Sequence, residues 1–210
     1  MSLILPIDPL NPAPEVLTRA ASALRQGGVV AYPTETLYGL GVDPFLAEAL
    51  ERLYRLKDRP STMPVSILVR DVAMLNEVAC DLPGCAVRLI EAFLPGPMTL
   101  VLPAQPHLPQ RLTAGAGKIG VRISAHPLMG HLFSRYPAPI TTTSANPTGA
   151  TNARETKQIL SYFPRGIDCI LDAGPVTAGI GSTVVEATGD LPAILREGTI
   201  SEKEIFEALR

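Results

Sequence analysis

The feature of this sequence that most limits its fold is the alternation of short apolar segments with longer amphipathic ones. Segments rich in β-branched residues recur along the chain, as in Val29–Tyr32, Val65–Val69 and Ile119–Ile123. Between them lie segments with helical spacing of apolar residues, such as Pro14–Gln26, which has Pro at its start and Gly beyond its end. Alternating strands and helices predict an α/β sheet flanked by helices, and short hairpin-like spacings near both ends predict that it is mixed.

Length and composition favour one well-packed domain. The chain has 210 residues, of which 46% are hydrophobic and 18% charged, and neither a linker nor an internal repeat is visible. We therefore expect a single domain over residues 1–210 with no additional C-terminal domain. The net charge of −2 provides no global basic field for nucleic acid, so any RNA contact would be local.

The sequence also predicts where the protein resides. No signal peptide is recognisable at the N-terminus, and no apolar run is long enough to span a membrane. Cys80, Cys85 and Cys169 lack metal-site spacing and are expected to be reduced thiols. These observations predict a soluble, cytoplasmic protein.

The polar stretch Ile140–Gly149 is the first candidate site. Its strand ends in hydroxyl and amide side chains, including Thr142, Ser144 and Asn146, before a proline and a glycine stop any regular element. Such a strand end gathers side-chain donors and backbone N–H groups, and can hold an anion or a polar small molecule. A turn that caps its own backbone would have the same composition, and on this stretch alone that structural interpretation is favoured.

Two other loops repeat this pattern of hydroxyls and glycines beside a strand. Thr36 lies in PTETLYGLGVD, residues 33–43, and Ser182 lies in GIGSTVVEA, residues 179–187. A ligand site and a plain strand-to-helix connection explain the first loop equally well.

Basic residues also occur at the ends of predicted elements. Lys57 and Arg59 follow the predicted helix Ala47–Leu56, where Pro60 should keep both on an irregular segment able to clamp phosphates. Ordinary pairing with the helix dipole is the structural alternative. Arg122 lies within the predicted strand Ile119–Ile123, where a charge is usually at a sheet edge or on a solvated face, and Arg196 ends another strand. If Arg122 instead faces a cleft at the strand end, it is a natural partner for a carboxylate.

Capping boxes predict where two helices start. Asn152 with Glu155 predicts the helix Ala153–Tyr162, and Ser201 with Glu204 predicts the helix Glu202–Leu209.

Seven motifs together resemble the YrdC/TsaC family of L-threonylcarbamoyladenylate synthases: PTETLYGLG, KDRP, PGPMTLVL, VRISAHP, TSANPTG, STVVE and REG. They run from about Val29 to Gly198 in the order and at the spacing of that family. The resemblance implies an open, twisted, YrdC-like α/β sheet around a deep, positively charged cavity. It also implies a nucleotidyltransferase that converts L-threonine, bicarbonate or carbon dioxide, and ATP to threonylcarbamoyl-AMP and pyrophosphate.

By position, the resemblance assigns two groups of residues to this reaction. The implied catalytic set, which also binds ATP, is Lys57, Arg59, Ser144 and Asn146, and Arg196 is a further ATP-binding residue. The implied threonine-binding set is Thr36, Arg122, Thr142 and Ser182, with Arg122 on the substrate carboxylate. Mg²⁺ is expected to come with ATP, and its protein ligands are not implied.

The resemblance further implies a place in threonylcarbamoyladenosine modification of tRNA. Downstream threonylcarbamoyl-transfer proteins are then the expected partners, whereas direct tRNA contact and the oligomeric state stay open. Several positions depart from the family pattern: Met63, Leu68, Lys118, Ser124 (usually Pro) and Thr148. The first three bear on substrate preference.

Two alternatives remain at this point. A non-catalytic RNA-binding or ribosome-assembly module of the same fold would use the basic cavity to hold phosphates without chemistry. The related carbamoyl-adenylate chemistry of hydrogenase maturation occurs in longer, multi-domain chains.

Overall fold

The predicted alternation of strands and helices is present in the structure, a computed structural model that describes residues 2–210. The strands within these residues are β1 Leu3–Pro6, β2 Val30–Pro33, β3 Tyr38–Gly41, β4 Ser66–Leu68, β5 Met98–Pro103, β6 Lys118–Arg122, β7 Ile140–Ser144, β8 Cys169–Asp172, β9 Thr183–Glu186 and β10 Ala193–Arg196. The helices are α1 Pro14–Arg25, α2 Ala47–Lys57, α3 Val72–Val78, α4 Gly84–Phe93, α5 Gln110–Thr113, α6 Pro127–Arg135, α7 Thr156–Tyr162 and α8 Glu202–Ala208.

The described strands form one sheet in the order β1-β8-β2-β3-β7-β4-β6-β5-β9-β10. The pairs β1/β8, β8/β2, β4/β6 and β5/β9 are parallel, and the other neighbouring pairs are antiparallel. The prediction of a mixed α/β sheet is therefore confirmed. Strands β2, β3 and β7 lie in the interior of the sheet and contain no exposed residue.

Helix α1 illustrates how apolar spacing sets the packing. Its buried residues are Leu17, Ala20, Ala21 and Leu24, which share one face, and that face packs against α6 and β8. Pro at the first position costs no hydrogen bond there, since the first N–H groups of a helix have no partner within it.

The loop expected after β2 contains a strand instead. Tyr38–Gly41 forms β3, antiparallel to β2 with Tyr32 opposite Gly39. Glycine in this strand gives space rather than a turn, because a Cβ on Gly41 would lie 2.8 Å from the Tyr32 ring. The interpretation of residues 33–43 as one loop was wrong because these glycines mimic loop composition.

One of the two predicted capping boxes is present. Ser201 accepts the N–H of Glu204 while the Glu204 carboxylate accepts the N–H of Ser201, at the start of α8. Helix α7 begins only at Thr156, with Glu155 at its N-cap and no side-chain cap, so the box of Asn152 and Glu155 is wrong. No helix within residues 2–210 is long and apolar enough to cross a membrane.

A cavity at the strand ends forms the candidate functional site

A cavity of about 780 Å³ lies where the loops and strand ends of the predicted motifs meet. Sheet pairing explains this convergence: Gly39 on β3 lies opposite Ser144 on β7, and Leu68 on β4 lies beside Arg122 on β6. Of the nine predicted site residues, seven line the cavity, namely Thr36, Arg59, Arg122, Thr142, Ser144, Ser182 and Arg196.

Lys57 and Asn146 lie behind the cavity lining. The Lys57 side chain is buried, and its Nζ donates to the backbone carbonyls of Ser144 and Asn146, each at 2.5 Å. In return, the Lys57 carbonyl accepts the N–H of Thr148 at 2.9 Å. Lys57 thus ties the end of α2 to the turn that follows β7, and the KDRP and TSANPTG motifs are neighbours.

The electrostatic setting of Lys57 is unusual for a lysine. Burial, with a smaller contribution from the charge of Arg59, lowers the pKa of Lys57 to about 7. Both of its hydrogen-bond partners are neutral carbonyl oxygens, so no carboxylate compensates its charge. Lys57 is also the last residue of α2, so the prediction that both cations leave the helix is wrong for Lys57 and right for Arg59.

Arg59 reaches the cavity from the segment after α2. Asp58, the C-cap residue that follows α2, adopts a left-handed conformation with φ of 49° and turns the chain. The Arg59 guanidinium donates to the carbonyls of Pro64 at 2.6 Å and Met63 at 3.3 Å, and burial lowers its pKa. These contacts use only part of its donor set and leave the rest for a ligand.

Arg122 is the most deeply buried cation among the residues that line the cavity, with a side chain 7% exposed. Its Nη2 lies 2.9 Å from Oε1 of Glu35 and donates to Oγ1 of Thr36 at 3.0 Å. Its Nε is buried and has no acceptor among residues 2–210. A buried donor without an acceptor is costly, and a ligand carboxylate at this place would satisfy it.

Ser182, which directly precedes β9, and Arg196, the last residue of the neighbouring strand β10, are in contact. Arg196 Nη2 donates to the carbonyl of Ser182 at 2.8 Å, and Ser182 Oγ lies 2.9 Å from Oγ1 of Thr99. Gly198 permits this approach, since a Cβ there would lie 2.3 Å from the carbonyl oxygen of Gly181. Burial, followed by the nearby charge of Arg122, lowers the pKa of Arg196.

The cavity carries acids as well as cations. Its lining cations are Arg59, Lys118, Arg122 and Arg196, and its lining acids are Glu186 and Glu197. Lys118 Nζ lies 2.5 Å from Oε1 of Glu186, and Glu35 neutralises part of the charge of Arg122. The lining is therefore positive on balance, and two of its four cations are already paired.

Several lining residues were not singled out as site residues in the sequence. They include Ser66, Thr99 and Asn152. Asn152 was assigned to a helix cap, and only the late start of α7 frees it for the cavity. Ser66 and Thr99 lie inside strands whose pairing partners the sequence does not specify, so no local signal marked them.

The positions that depart from the family pattern fall in different surroundings. Lys118 lines the cavity, whereas Leu68 is fully buried in the core and Met63 is outside the lining. Among residues 2–210 no group of three His, Cys, Asp or Glu side chains is arranged to hold a metal ion.

The family follows from comparison with known proteins. A family model that covers the Sua5, YciO and YrdC proteins, described as "Telomere recombination", matches residues 22–198. The chain belongs to this family.

Three curated relatives are between 35% and 39% identical to this chain over the aligned residues. It is 35% identical over 199 residues to the threonylcarbamoyl-AMP synthase of Bacillus subtilis, covering 94% of this chain and 58% of that protein. It is 36% identical over 190 residues to that of Pyrococcus abyssi, covering 90% and 56% respectively. It is 39% identical over 163 residues to that of Halorhodospira halophila, covering 78% and 85%. The chain thus spans less than two thirds of the first two proteins.

Solved structures of the family superimpose closely on this chain. The complex of P. abyssi Sua5 with L-threonine has a TM-score of 0.94 at 32% identity, covering 99% of this chain and 61% of that one. E. coli YciO has a TM-score of 0.90 at 28% identity, covering 98% of this chain and 100% of that one. The expectation of a single YrdC-like α/β domain is confirmed by these neighbours.

Proposed function

We propose that this chain is an L-threonylcarbamoyl-AMP synthase. The observation that carries the proposal is the convergence of Arg59, Ser144, Arg122 and Arg196 on one cavity, where Arg122 keeps a buried donor without an acceptor. The cavity has room for a nucleotide and a small amino acid. The names of the curated relatives and the threonine complex of P. abyssi Sua5 support the same activity.

In the proposed reaction the neutral threonine amine first forms a carbamate, either with carbon dioxide, releasing a proton, or with bicarbonate, releasing water. A carbamate oxygen attacks the α-phosphorus of ATP. The bond between that phosphorus and the oxygen bridging to the β-phosphate breaks, and pyrophosphate leaves with the electron pair. As a nucleotidyl transfer, this step depends on positioning and on charge neutralisation more than on a general base.

The chain's own residues divide this work between two sides of the cavity. Arg122 receives the threonine carboxylate, and Thr36, Thr142 and Ser182 surround the amino acid with hydroxyls. Arg59 and Arg196 neutralise the nucleotide phosphates, and Ser144 orients the reacting oxygens. The protein holds the three arginines before the ligand arrives, Arg59 through Pro64, Arg122 through Thr36 and Arg196 through Ser182, as charge-stabilising groups must be.

Lys57 and Asn146 remain part of the proposed phosphate site, but only one donor of Lys57 is left for a phosphate. The Lys57 amine has three donors, and two of them serve the carbonyls behind Ser144. The third donor is the one available to a phosphate, so Lys57 can hold the turn and the ligand together. Asn146 has a buried Oδ1 without a donor among residues 2–210, while its Nδ2 bonds the carbonyl of Ala150.

Magnesium belongs with the nucleotide in this proposal. Mg²⁺ is usually held by one or two carboxylates, water and substrate phosphates rather than by a protein cage. Since residues 2–210 provide no three-ligand cluster, we write the substrate as MgATP and assign no step to a metal held by the protein.

The decisive experiment is release of pyrophosphate from ATP in the presence of bicarbonate, with threonine, serine or no amino acid. We expect threonine-dependent release, and weaker release with serine if the site contacts the threonine methyl group. If the site also hydrogen-bonds the threonine hydroxyl, valine should be rejected strongly. Release that does not depend on the amino acid would refute the proposal.

The same assay separates the enzyme from an RNA-binding module. Such a module would bind RNA with a steep salt dependence and release no pyrophosphate. For an active enzyme, we propose that the adenylate passes to downstream threonylcarbamoyl-transfer proteins acting on tRNA.

A further inference from the structure

We propose that Glu35 and Ser124 are positioning residues that orient Arg122 toward the carboxylate of the amino-acid substrate. The inference rests on the proposed function, because it takes that carboxylate as the group that Arg122 receives. Neither residue belongs to the predicted catalytic or binding sets, and neither lines the cavity within residues 2–210.

The contacts of Arg122 are one-sided. Its Nη2 is occupied by Oε1 of Glu35 at 2.9 Å and by Oγ1 of Thr36 at 3.0 Å. Its Nε is buried without an acceptor in the described chain. Because a guanidinium is a rigid planar fork, fixing one end of it determines where its remaining donors point.

Glu35 is itself held at both carboxylate oxygens. Oε1 accepts the backbone N–H of Ala125 at 3.3 Å in addition to facing Arg122, and Oε2 accepts the hydroxyl of Ser124. A carboxylate held at both oxygens cannot swing away from Arg122 without breaking these bonds. The turn between β2 and β3, which carries Glu35, is thereby tied to the chain leaving β6.

The charge state of Glu35 suits this role. Burial alone would raise the pKa of its carboxyl group, but the charge of Arg122 and the hydrogen bond from Ser124 outweigh burial and lower it. Glu35 therefore stays ionised at neutral pH. A buried ion pair of this kind adds little net stability compared with an apolar pair, so its main effect is on orientation.

Ser124 binds Glu35 through its side-chain hydroxyl, a group that alanine lacks. Here the Ser124 Oγ also accepts the N–H of His126 at 3.2 Å, the N-cap residue of α6. This second bond sets the direction of the hydroxyl, since an oxygen that accepts from His126 is free to donate to Glu35.

The test compares Ser124→Ala with Ser124→Thr in the pyrophosphate assay, with threonine and ATP varied separately. We expect Ser124→Ala to raise the KM for threonine about 5- to 10-fold, the scale of one ordinary net hydrogen bond, because the lost bond acts on the substrate only through Glu35 and Arg122. We expect kcat and the KM for ATP to stay within about twofold, because only the carboxylate contact changes. Ser124→Thr keeps the hydroxyl and should restore the KM for threonine.

Ser134→Ala is the matched control, because Ser134 is an exposed serine on α6 whose hydroxyl bonds the carbonyl of His131. It should leave all three constants unchanged. A general loosening of the fold by Ser124→Ala would raise the KM for ATP as well. An equal rise in both constants, or no rise in the KM for threonine, would overturn the positioning role.

A second measurement keeps the inference testable if the proposed function fails. The Nε–H of Arg122 should exchange slowly with water in the wild-type protein, as observed by NMR, because that group is buried and held. Glu35→Gln and Ser124→Ala should accelerate the exchange while an amide in β5 keeps its rate. Unchanged Nε–H exchange in both variants would refute the inference, whereas a wild-type protein without threonine-dependent turnover would refute only the proposed function.

Discussion

Lys57 and Arg122 are both buried cations, Arg122 in the cavity lining and Lys57 outside it, and the protein satisfies them in different ways. Lys57 donates to two neutral carbonyl oxygens and has no acid beside it. Arg122 faces the carboxylate of Glu35, bonds the Thr36 hydroxyl, and still has an unused buried donor. Two of the three Lys57 donors are used to join two segments, whereas the protein contacts of Arg122 fix its direction and leave its Nε for an anion.

This difference follows from what each partner does to a buried charge. Carbonyl oxygens orient an ammonium group but do not offset the free-energy cost of removing it from water, so the pKa of Lys57 falls to about 7. A carboxylate compensates the guanidinium and fixes its direction at once.

Arg122→Gln should have the largest effect. The change removes the carboxylate contact and leaves Glu35 buried without its counter-charge, so kcat/KM for threonine should fall about 100- to 1000-fold. The measurement is pyrophosphate release with threonine varied. Arg88→Gln, an exposed arginine on α4, is the control. A kcat/KM within tenfold of wild type would show that Arg122 does not hold the substrate.

Lys57→Ala and Arg59→Ala should each lower kcat about 100-fold or more, the scale of a lost transition-state donor. The two variants should differ in stability. Lys57→Ala strips the donor from two buried carbonyls and should lower the free energy of unfolding, whereas Arg59→Ala should change it little. Urea unfolding and turnover are measured together, with Arg55→Ala on the exposed face of α2 as control. Near-wild-type turnover in either variant would remove that residue from the mechanism.

Gly198→Ala should have the next largest effect. The new Cβ meets the backbone of Gly181 and Ser182, which cannot move as a flexible side chain could. Overpacking of this kind costs about 1–3 kcal/mol of stability, and displacement of Arg196 should raise the KM for ATP about tenfold. Gly189→Ala is the control, because a Cβ there meets nothing within 4 Å. Equal behaviour of the two variants would mean that Arg196 does not depend on this close approach.

Many of the helices and strands were predictable because they depend on the residues within each segment. Apolar spacing predicts α1, and β-branched segments predict β4 and β6, since burial requires those periods. Strand β3 was missed because its two glycines leave space for the Tyr32 ring of a neighbouring strand, a requirement that is not visible in the local sequence. The order of strands in the sheet is likewise a property of pairing between distant segments, which no local pattern contains.

The site divides in the same way. Hydroxyls and arginines at strand ends predicted most of the cavity lining, because strand ends converge in an α/β sheet. The burial of Lys57 beneath Ser144 and the clasp of Glu35 by Ser124 join segments about ninety residues apart. Such contacts depend on which elements become neighbours. For that reason no local pattern in the sequence identified Glu35 as part of the site.

The pH dependence of stability tests the state of Lys57. Its pKa is lowered in the folded protein, so between pH 7 and the ordinary lysine range the unfolded chain binds more protons than the folded one. The free energy of unfolding should therefore rise with pH over this interval, by on the order of 1 kcal/mol per pH unit. Lys57→Met should lose this slope in urea titrations at pH 7, 8 and 9. The same slope in both proteins would show that Lys57 remains charged when folded.

Lys118→Thr should have the smallest effect, because Lys118 is a partly exposed cation, unlike Lys57 and Arg122. Lys118 also lines the cavity beside an acid, but its side chain is 43% exposed and that of Glu186 26%, so water screens the pair. Exposed pairs contribute less than about 1 kcal/mol, and the KM for ATP should change by no more than about threefold. Steady-state kinetics at low and high salt measure this, and Lys203→Thr on α8 is an exposed control. A tenfold change would mean that Lys118 leaves Glu186 and contacts the nucleotide, since screening alone cannot produce an effect of that size.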